Sequence, residues 1–337
     1  MRARVTLKDI ARETGLSVSS VSLALRGDTR FPADTIARIR TAATSLGYVY
    51  NQAAADLRMS RTNQVAVCLG DLTNPIFNDM LLEAETEIES RGKRLLLGIT
   101  RENRARQADF LHQALQVGCE ALLLCPAYGT TCTDLDAILR VGDTLAISTA
   151  LFFRSVEGFD APQIVMDEVR SGRLSARAAI DAGHRNLHWI GGGRQTSAAF
   201  QRQSGAVAEI VEAGLAPPGL HPGPTSRAYG FAKATELLAT HRGEIAFLCF
   251  SDLIAMGVLA ACHAAGRRVG HDVSVVGCDD MDEVRYAIPP LTTIRIDLKH
   301  IVATAMQAAT TPDFPRPEAF EPVLIQRESL CLSLIHI

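Results

Sequence analysis

The chain has 337 residues, 47% of them hydrophobic and 21% charged, with a formal net charge of −3. At ~150 residues per domain, that length points to about two domains of ordinary globular composition. No run approaches the roughly 20 uncharged apolar residues of a bilayer span, and residues 1–14 are charged and helical in pattern where a signal peptide would be apolar, which together imply a cytoplasmic protein without a membrane partner. The eight cysteines include no Cys-x-x-Cys pair and lie scattered in apolar segments, so most read as small core residues, and neither a disulfide framework nor a metal site is expected.

The charge is unevenly spread. Residues 1–60 hold nine Lys/Arg against five Asp/Glu, a balance of +4, which leaves −7 for the remainder. A small basic module on an acidic body is what a DNA-binding head requires, because phosphate contacts supply most non-specific affinity.

In that head Thr6 is placed to cap a helix with Leu7, Ile10 and Ala11 on its apolar face, Gly15 stops it, and Ser17 caps a second helix with Val18, Val21 and Leu25 inward. A third helix is expected from about Ala33 to Leu46, with Ile36, Ile39 and Ala43 inward. Ala11, Gly15 and Val21 stand at helix-turn-helix spacing: a small residue where the helices cross, a glycine for the turn, and a buried β-branched anchor. In that geometry Val18, Ser19 and Leu23 face the major groove, and Thr6, Ser17, Ser20 and Ser22 reach phosphates or cap helix ends. Val18 and Leu23 offer only apolar contact, such as to thymine methyls.

From residue 64 onward, β-like apolar runs alternate with amphipathic stretches. Strands are expected at Gln64–Gly70, Arg94–Thr100, Ala121–Cys125, Thr144–Ser148, Gln163–Met166, Asn186–Ile190, Ile245–Phe250 and Val273–Gly277. Helices are expected at Phe77–Arg91, Arg104–Val117, Gly172–Ala182, Phe200–Ala213, Tyr229–Thr240 and Ile254–Ala265. The Pro/Gly-rich stretch Ala216–Pro224 reads as a loop, and Gly191–Gly193 as a tight turn, since it lacks the Lys-Ser/Thr of a phosphate loop. Repeated β-α units imply parallel sheets covered by helices on both faces, and some 270 residues suit two such lobes better than one. The fold class is therefore an all-α helix-turn-helix head on an α/β body of two doubly wound parallel-sheet lobes.

V-T-L-K-D-I-A at 5–11, T-G-L-S-V-S-S-V-S-L-A-L-R-G at 14–27 and L-G-Y-V-Y-N at 46–51 resemble the head of the lactose/galactose repressor (LacI/GalR) family. The resemblance continues through D-L-T-N-P-I-F at 71–77, D-A-G-H-R at 181–185, S-D-L-I-A-M-G at 251–257, D-V-S-V-V-G-C-D-D at 272–280 and P-P-L-T-T-I at 289–294. It implies a head over 1–50, a hinge helix and linker over 51–63, an effector-binding and dimerisation body over 64–330 that resembles a periplasmic sugar-binding protein, and a non-native tail over 331–337, whose sequence reads like translated adapter.

The resemblance further implies that Asn51–Arg58 folds on DNA, with Leu57 wedged into a minor-groove step and Ala54 near its symmetry mate; alone this segment is too short to hold helix in water. Tyr50 stands where the family commonly has proline, and Leu23 where a longer polar or basic reader is frequent, so more of the operator is left to DNA shape. Residues matching the family's effector contacts are Ile76, Phe77, Arg202, Tyr229, Ser251 and Asp279, with Thr196 and Asp167 weaker. Arg202 and Asp279 have the donors and acceptors to grip adjacent hydroxyls or an acidic group, and Phe77 and Tyr229 the rings to cover a sugar face, which leaves a sugar, a sugar acid or a purine open as the effector.

The implied protein is a cytoplasmic, nucleoid-associated repressor that binds pseudo-palindromic operator DNA as a homodimer under control of a small molecule, most readily a carbohydrate, and needs no cofactor. Its dimer contacts are expected on the Phe77–Ile88 helix, with Phe110–Val117 as a second surface. A solute-binding receptor lacks a reason for the head. An enzyme lacks a catalytic constellation, because adjacent Asp279 and Asp280 point in different directions.

Overall fold

The computed structural model describes residues 5–25, 30–48, 62–192 and 196–330. Two compact units make up the chain, Met1–Ser60 and Arg61–Ile337.

The first unit is built from α1 (Leu7–Thr14), α2 (Val18–Leu25) and α3 (Ala33–Leu46). The Thr6 N–H and hydroxyl both donate to the Asp9 carboxylate, at 2.9 and 2.7 Å, which fixes the start of α1; Gly15 then ends it in the left-handed conformation at φ +69°. The Ser17 hydroxyl oxygen accepts the Ser20 N–H at 3.0 Å and starts α2. Ile10, Val21, Ala24 and Ile39 are fully buried where the three helices meet. Val18, expected inward, is 40% exposed because it is the first residue of α2, with no preceding turn to cover it.

A core this small has little reserve. Ile39→Ala should cost about 2–5 kcal/mol, enough to melt the head while the body stays folded. Scanning calorimetry would then show the body's transition unmoved and the head's lost or lowered; a parallel drop in both would mean that the units do not fold independently.

The second unit contains two lobes. The first has a five-stranded sheet in the order β2-β1-β3-β6-β7, all pairs parallel, from β1 (Gln64–Leu69), β2 (Arg94–Ile99), β3 (Ala121–Leu124), β6 (Ser148–Phe152) and β7 (Gln163–Ile164). In β1 the run Val65–Leu69 is wholly buried, as expected of a strand covered on both faces. Val65, Val67 and Leu69 meet α4 (Ile76–Ser90) and α11 (Leu298–Thr310), whereas Ala66 and Cys68 meet α5 (Arg104–Val117) and α6 (Cys132–Leu139).

The second lobe repeats the plan. Its sheet runs β13-β12-β11-β10-β8-β9, from β8 (Leu187–Ile190), β9 (Gly219–His221), β10 (Ile245–Cys249), β11 (Val273–Asp279), β12 (Thr292–Arg295) and β13 (Val323–Ile325), with only β13 antiparallel. Ile245, Phe247 and Cys249 of β10 face α9 (Arg227–Thr240) and α10 (Asp252–Ala264); Ala246 and Leu248 face α7 (Glu168–Asp181) and α8 (Ser197–Glu212). The chain passes between lobes three times: from β7 into α7, from β12 back to α11 against α4 and β6, and from α11 to β13.

Several expectations need correction. Thr144–Ser148 is not one strand: Gly142, at φ +60°, turns β5 (Thr144–Leu145) back on β4 (Arg140–Val141), and the sheet strand is Ser148–Phe152. The supposed loop Ala216–Pro224 contains β9, the edge strand of its sheet. Helices α6 and α11 and strands β12 and β13 were not anticipated, and α7 to α10 begin two to four residues earlier than expected. Asn51, Ala54 and Leu57, with Tyr50, Gly193 and the tail 331–337, lie outside the described residues.

Candidate functional site

A cavity of about 640 Å³ opens between the two lobes. Its walls come from the segments that follow the carboxyl ends of parallel strands: Asp71 and Asn74 after β1, Glu102 after β2, Tyr128 after β3, Phe153 and Arg154 after β6, Pro222–Thr225 after β9, Phe250 and Ser251 after β10, and Asp279 ending β11. This is where open α/β sheets offer ligands unpaired backbone and helix N-termini.

Each lobe contributes one buried arginine. On the second lobe, Arg202 reaches from α8 to Glu168 on α7, with Nε and Nη2 donating to the two carboxylate oxygens at 2.7 and 2.9 Å and Nη1 to the Phe250 carbonyl at 2.6 Å. Both partners are only 3% exposed, and the guanidinium lies 4.8 Å over the Phe250 ring. On the first lobe, Arg154 grips Glu102 through two nitrogens at 2.8 and 3.0 Å and donates to the Pro126 carbonyl at 2.8 Å. Its guanidinium stands 4.8 Å from the Tyr128 ring centre and 5.6 Å from that of Phe77.

Two polar atoms in the cleft walls are buried without a partner, Asn74 Oδ1 and Asp279 Oδ2. Asp279 is 6% exposed and its φ is +127°, a costly conformation for a residue with a side chain. Burial, with the neighbouring Asp252 carboxylate adding to it, holds the Asp279 carboxyl well above the ordinary carboxylate range, against the pull of Arg202. Asp252 itself is fully enclosed, accepting from the Thr293 hydroxyl at 2.6 Å and the Met281 N–H at 3.0 Å.

Of the residues singled out from sequence, Ile76, Phe77, Arg202, Ser251 and Asp279 come together in this cleft, and Thr196 joins them. Tyr229 does not. Its hydroxyl donates to the carbonyls of His221 and Pro222, at 3.0 and 2.8 Å, and its ring fills the space a Gly223 side chain would need, so it supports the β9 loop from behind. Asp167 caps α7 by accepting the Arg170 N–H at 2.8 Å. Glu102, Arg154, Tyr128 and Asn74 were missed. A sequence signal existed for Asn74, Glu102 and Tyr128, each of which closely follows the carboxyl end of an expected strand, but not for Arg154, whose strand was misplaced.

In the head, Val18 and Ser19 are exposed on α2, Leu23 is half-buried, and Thr6 and Ser17 are exposed at the helix starts. Ser20 shares a 2.8 Å hydroxyl contact with Ser17. Ser22 is buried, which removes it from the residues expected to reach phosphates.

In the second lobe, His188 on β8 stacks on His221, with Nδ1 3.0 Å from the His221 Nε2, and meets the edge of His241. Its Nε2 lies 3.1 Å from Asn186 Oδ1, and Lys233 and Glu236 act on His221 from α9. Burial, then the two neighbouring imidazoles, pushes His188 down from 6.5 to about 4. The unfolded chain therefore binds the extra proton first, so stability is full above pH 6.5 and falls as pH drops toward 4. The body's thermal midpoint should follow that course, and His188→Gln should flatten it; an unchanged slope in the variant would assign the effect elsewhere.

Comparison with known proteins agrees with both halves. A profile described as "Bacterial regulatory proteins, lacI family" matches residues 6–51, and one described as "Periplasmic binding protein-like domain" matches 176–330. The chain is 27% identical over 332 residues to the HTH-type transcriptional regulator GalR of Escherichia coli (strain K12), covering 96% of this chain and 95% of the relative. It is 28% identical over 336 residues to the ribose operon repressor of Haemophilus influenzae, covering 96% and 98%. It is 27% identical over 319 residues to the HTH-type transcriptional repressor PurR of Photobacterium profundum, covering 90% of each. Among solved structures, the lac repressor dimer bound to operator and the anti-inducer ONPF superposes with a TM-score of 0.87 at 21% identity, covering 98% of this chain and 100% of that one, a likeness of fold.

Proposed function

The chain belongs to the LacI/GalR family of bacterial regulatory proteins, and from that premise we propose that it is a transcriptional repressor whose grip on operator DNA is set by a small molecule held between its two lobes. The observation that carries this reading is the conjunction, in one chain, of a lacI-type head and a two-lobed cleft with two buried, unpartnered polar atoms in its walls. Val18, Ser19 and Leu23 are assigned to base edges, and Thr6, Ser17 and Ser20 to helix capping beside the phosphates. Asn51, Ala54 and Leu57 are assigned to a hinge that folds on the operator.

Palindromic operators call for a two-fold pair of copies. Leu82 on α4 is 61% exposed, and Tyr286 and Ile288, after the turn at Asp282–Arg285, are 77% and 95% exposed. We assign α4 to the dimer contact, with Leu82 as its exposed apolar side chain. Phe110, Leu111 and Ala114 are buried against the chain's own sheet and leave α5 the poorer surface.

We read the cleft as a binding site without turnover, because its two arginines are committed to carboxylates and its remaining polar groups are spread over both walls. The place of action is the cytoplasm, where the operator is; no helix among the described residues is long and apolar enough to cross a membrane. Capture of genomic fragments by the full chain, followed by sequencing, tests the reading. Enrichment of a palindromic site, lost when the chain is cut to residues 61–337, is the expected result, and no enriched site with or without a carbohydrate mixture would overturn it.

A further inference from the structure

We infer that the cleft selects an uncharged polyhydroxylated compound over sugar acids and sugar phosphates, with the Glu102–Arg154 pair as its specificity-determining element. The inference rests on the regulator reading only in taking this cleft as the effector site.

Charge comes first. A site for an anion keeps a cation unspent, but among the described lining residues both guanidiniums are held in two-point contact by carboxylates, Arg154 by Glu102 and Arg202 by Glu168. Asp71 adds a further acidic group without an added cation. A carboxylate or phosphate entering as the lobes close would be stripped of water against this surplus of acidic groups, and burying a charge without a free opposite charge is costly.

Hydrogen-bond valence gives the same answer independently. A guanidinium has five N–H donors. Arg202 uses three on Glu168 and Phe250, and Arg154 uses three on Glu102 and Pro126, so each keeps donors for a neutral oxygen while its charge is balanced. Of the unpartnered atoms, Asn74 Oδ1 on one lobe needs a ligand that donates, and Asp279 Oδ2 on the other is open to a hydroxyl in either role. Hydroxyl groups donate and accept together; the oxygens of a carboxylate or phosphate only accept.

The aromatic rings disfavour a flat heterocycle. Phe77 and Tyr128 are faced by Arg154, Phe250 is faced by Arg202, and Phe153 meets Phe77 edge-on at 73°. A purine needs two open ring faces, and a guanidinium already covers one face of Phe77, Tyr128 and Phe250, whereas the carbon face of a sugar needs only one.

Glu102 is the element that makes this choice specific to the chain. It neutralises Arg154, accepts the Tyr128 N–H at 3.2 Å, and sits against Gly70, where any side chain would strike its carboxylate. Removing its charge frees a buried cation in the cleft wall.

Calorimetric titration of the full chain with D-glucose, D-galactose, D-ribose and cellobiose, beside D-glucuronate, D-galacturonate, ribose 5-phosphate and hypoxanthine, tests the inference. At least one neutral sugar should bind, and its acid or phosphate counterpart should bind at least about tenfold more weakly, the worth of one charge-assisted hydrogen bond. Glu102→Gln should weaken the neutral sugar and narrow the gap to its acid. The wild-type comparison decides the case even where that variant fails to fold.

Equal or tighter binding of an acid, a phosphate or hypoxanthine overturns the inference, and so does failure of every neutral member. Loss of such anion binding in Arg194→Ala would transfer the role to Arg194, which lies outside the described residues. Fragment capture by the head stays as its own test, so an enriched operator with failed sugar selectivity removes this inference and leaves the regulator.

Discussion

Arg202→Met should destabilise the body by about 3–5 kcal/mol and abolish its response to ligand. Removing the guanidinium leaves Glu168 enclosed with no cation, and the Phe250 carbonyl loses its 2.6 Å donor in the same step. A surface ion pair would be worth less than about 1 kcal/mol, so burial of both partners sets the size of this effect. Urea titration of the body checks it, and a loss below about 1 kcal/mol would mean that Glu168 finds water or another donor. The double variant Arg202→Met, Glu168→Met should recover much of the stability without restoring ligand binding, which separates the structural part of the pair from its part in the cleft.

Gly172→Ala should be almost as severe, at about 3 kcal/mol or more, although it adds a single methyl group. Helices α7 and α8 cross at Gly172 and Gly205; a side chain at Gly172 would fall on the Arg202 carbonyl, and one at Gly205 on the Val169 carbonyl. Backbone cannot turn aside as a side chain can, so overpacking here exceeds its usual range of roughly 1–3 kcal/mol. Gly243→Ala is the control, because open space surrounds it and the change should stay within about 0.5 kcal/mol. Comparable losses at the two positions would contradict the crossing. The variant should also weaken ligand binding, since the helix it displaces carries Arg202.

The clash at Gly172 also explains why part of the fold was hard to read from sequence. A glycine within a helix looks like a boundary, so α7 was expected to begin there, whereas it begins at Glu168 and uses Gly172 for close approach. The starts of α8, α9 and α10 were set at apolar residues, but the helices are capped by Thr196, Ser226 and Ser251, whose side chains accept the backbone N–H three residues on. Apolar periodicity reports the buried face and is silent about the first turn, where capping decides. Strands β1, β2, β3 and β10 were legible because burial on both faces demands an unbroken apolar run. β9 and β13, short edge strands with one open side, leave no such run.

The cleft was legible in part for a related reason. Arg202, Ser251 and Asp279 stand in motifs whose chemistry declares itself in order along the chain. Glu102 and Arg154 are 52 residues apart, and only the folding of β2 and β6 into one sheet brings them together. Tyr229 misled because a tyrosine near a cleft serves equally well as a ring for a ligand or a prop for a loop, and the choice depends on which carbonyls its hydroxyl reaches.

The central claim is that ligand in the cleft and DNA on the head share one free energy. Anisotropy titration of the full chain on its captured operator, with and without a saturating concentration of the neutral sugar that binds the body, measures that coupling directly. At least about a fivefold change in operator affinity is expected, with an equal and reciprocal change in sugar affinity when operator is present. A sugar that binds the cleft while operator affinity stays the same would contradict it.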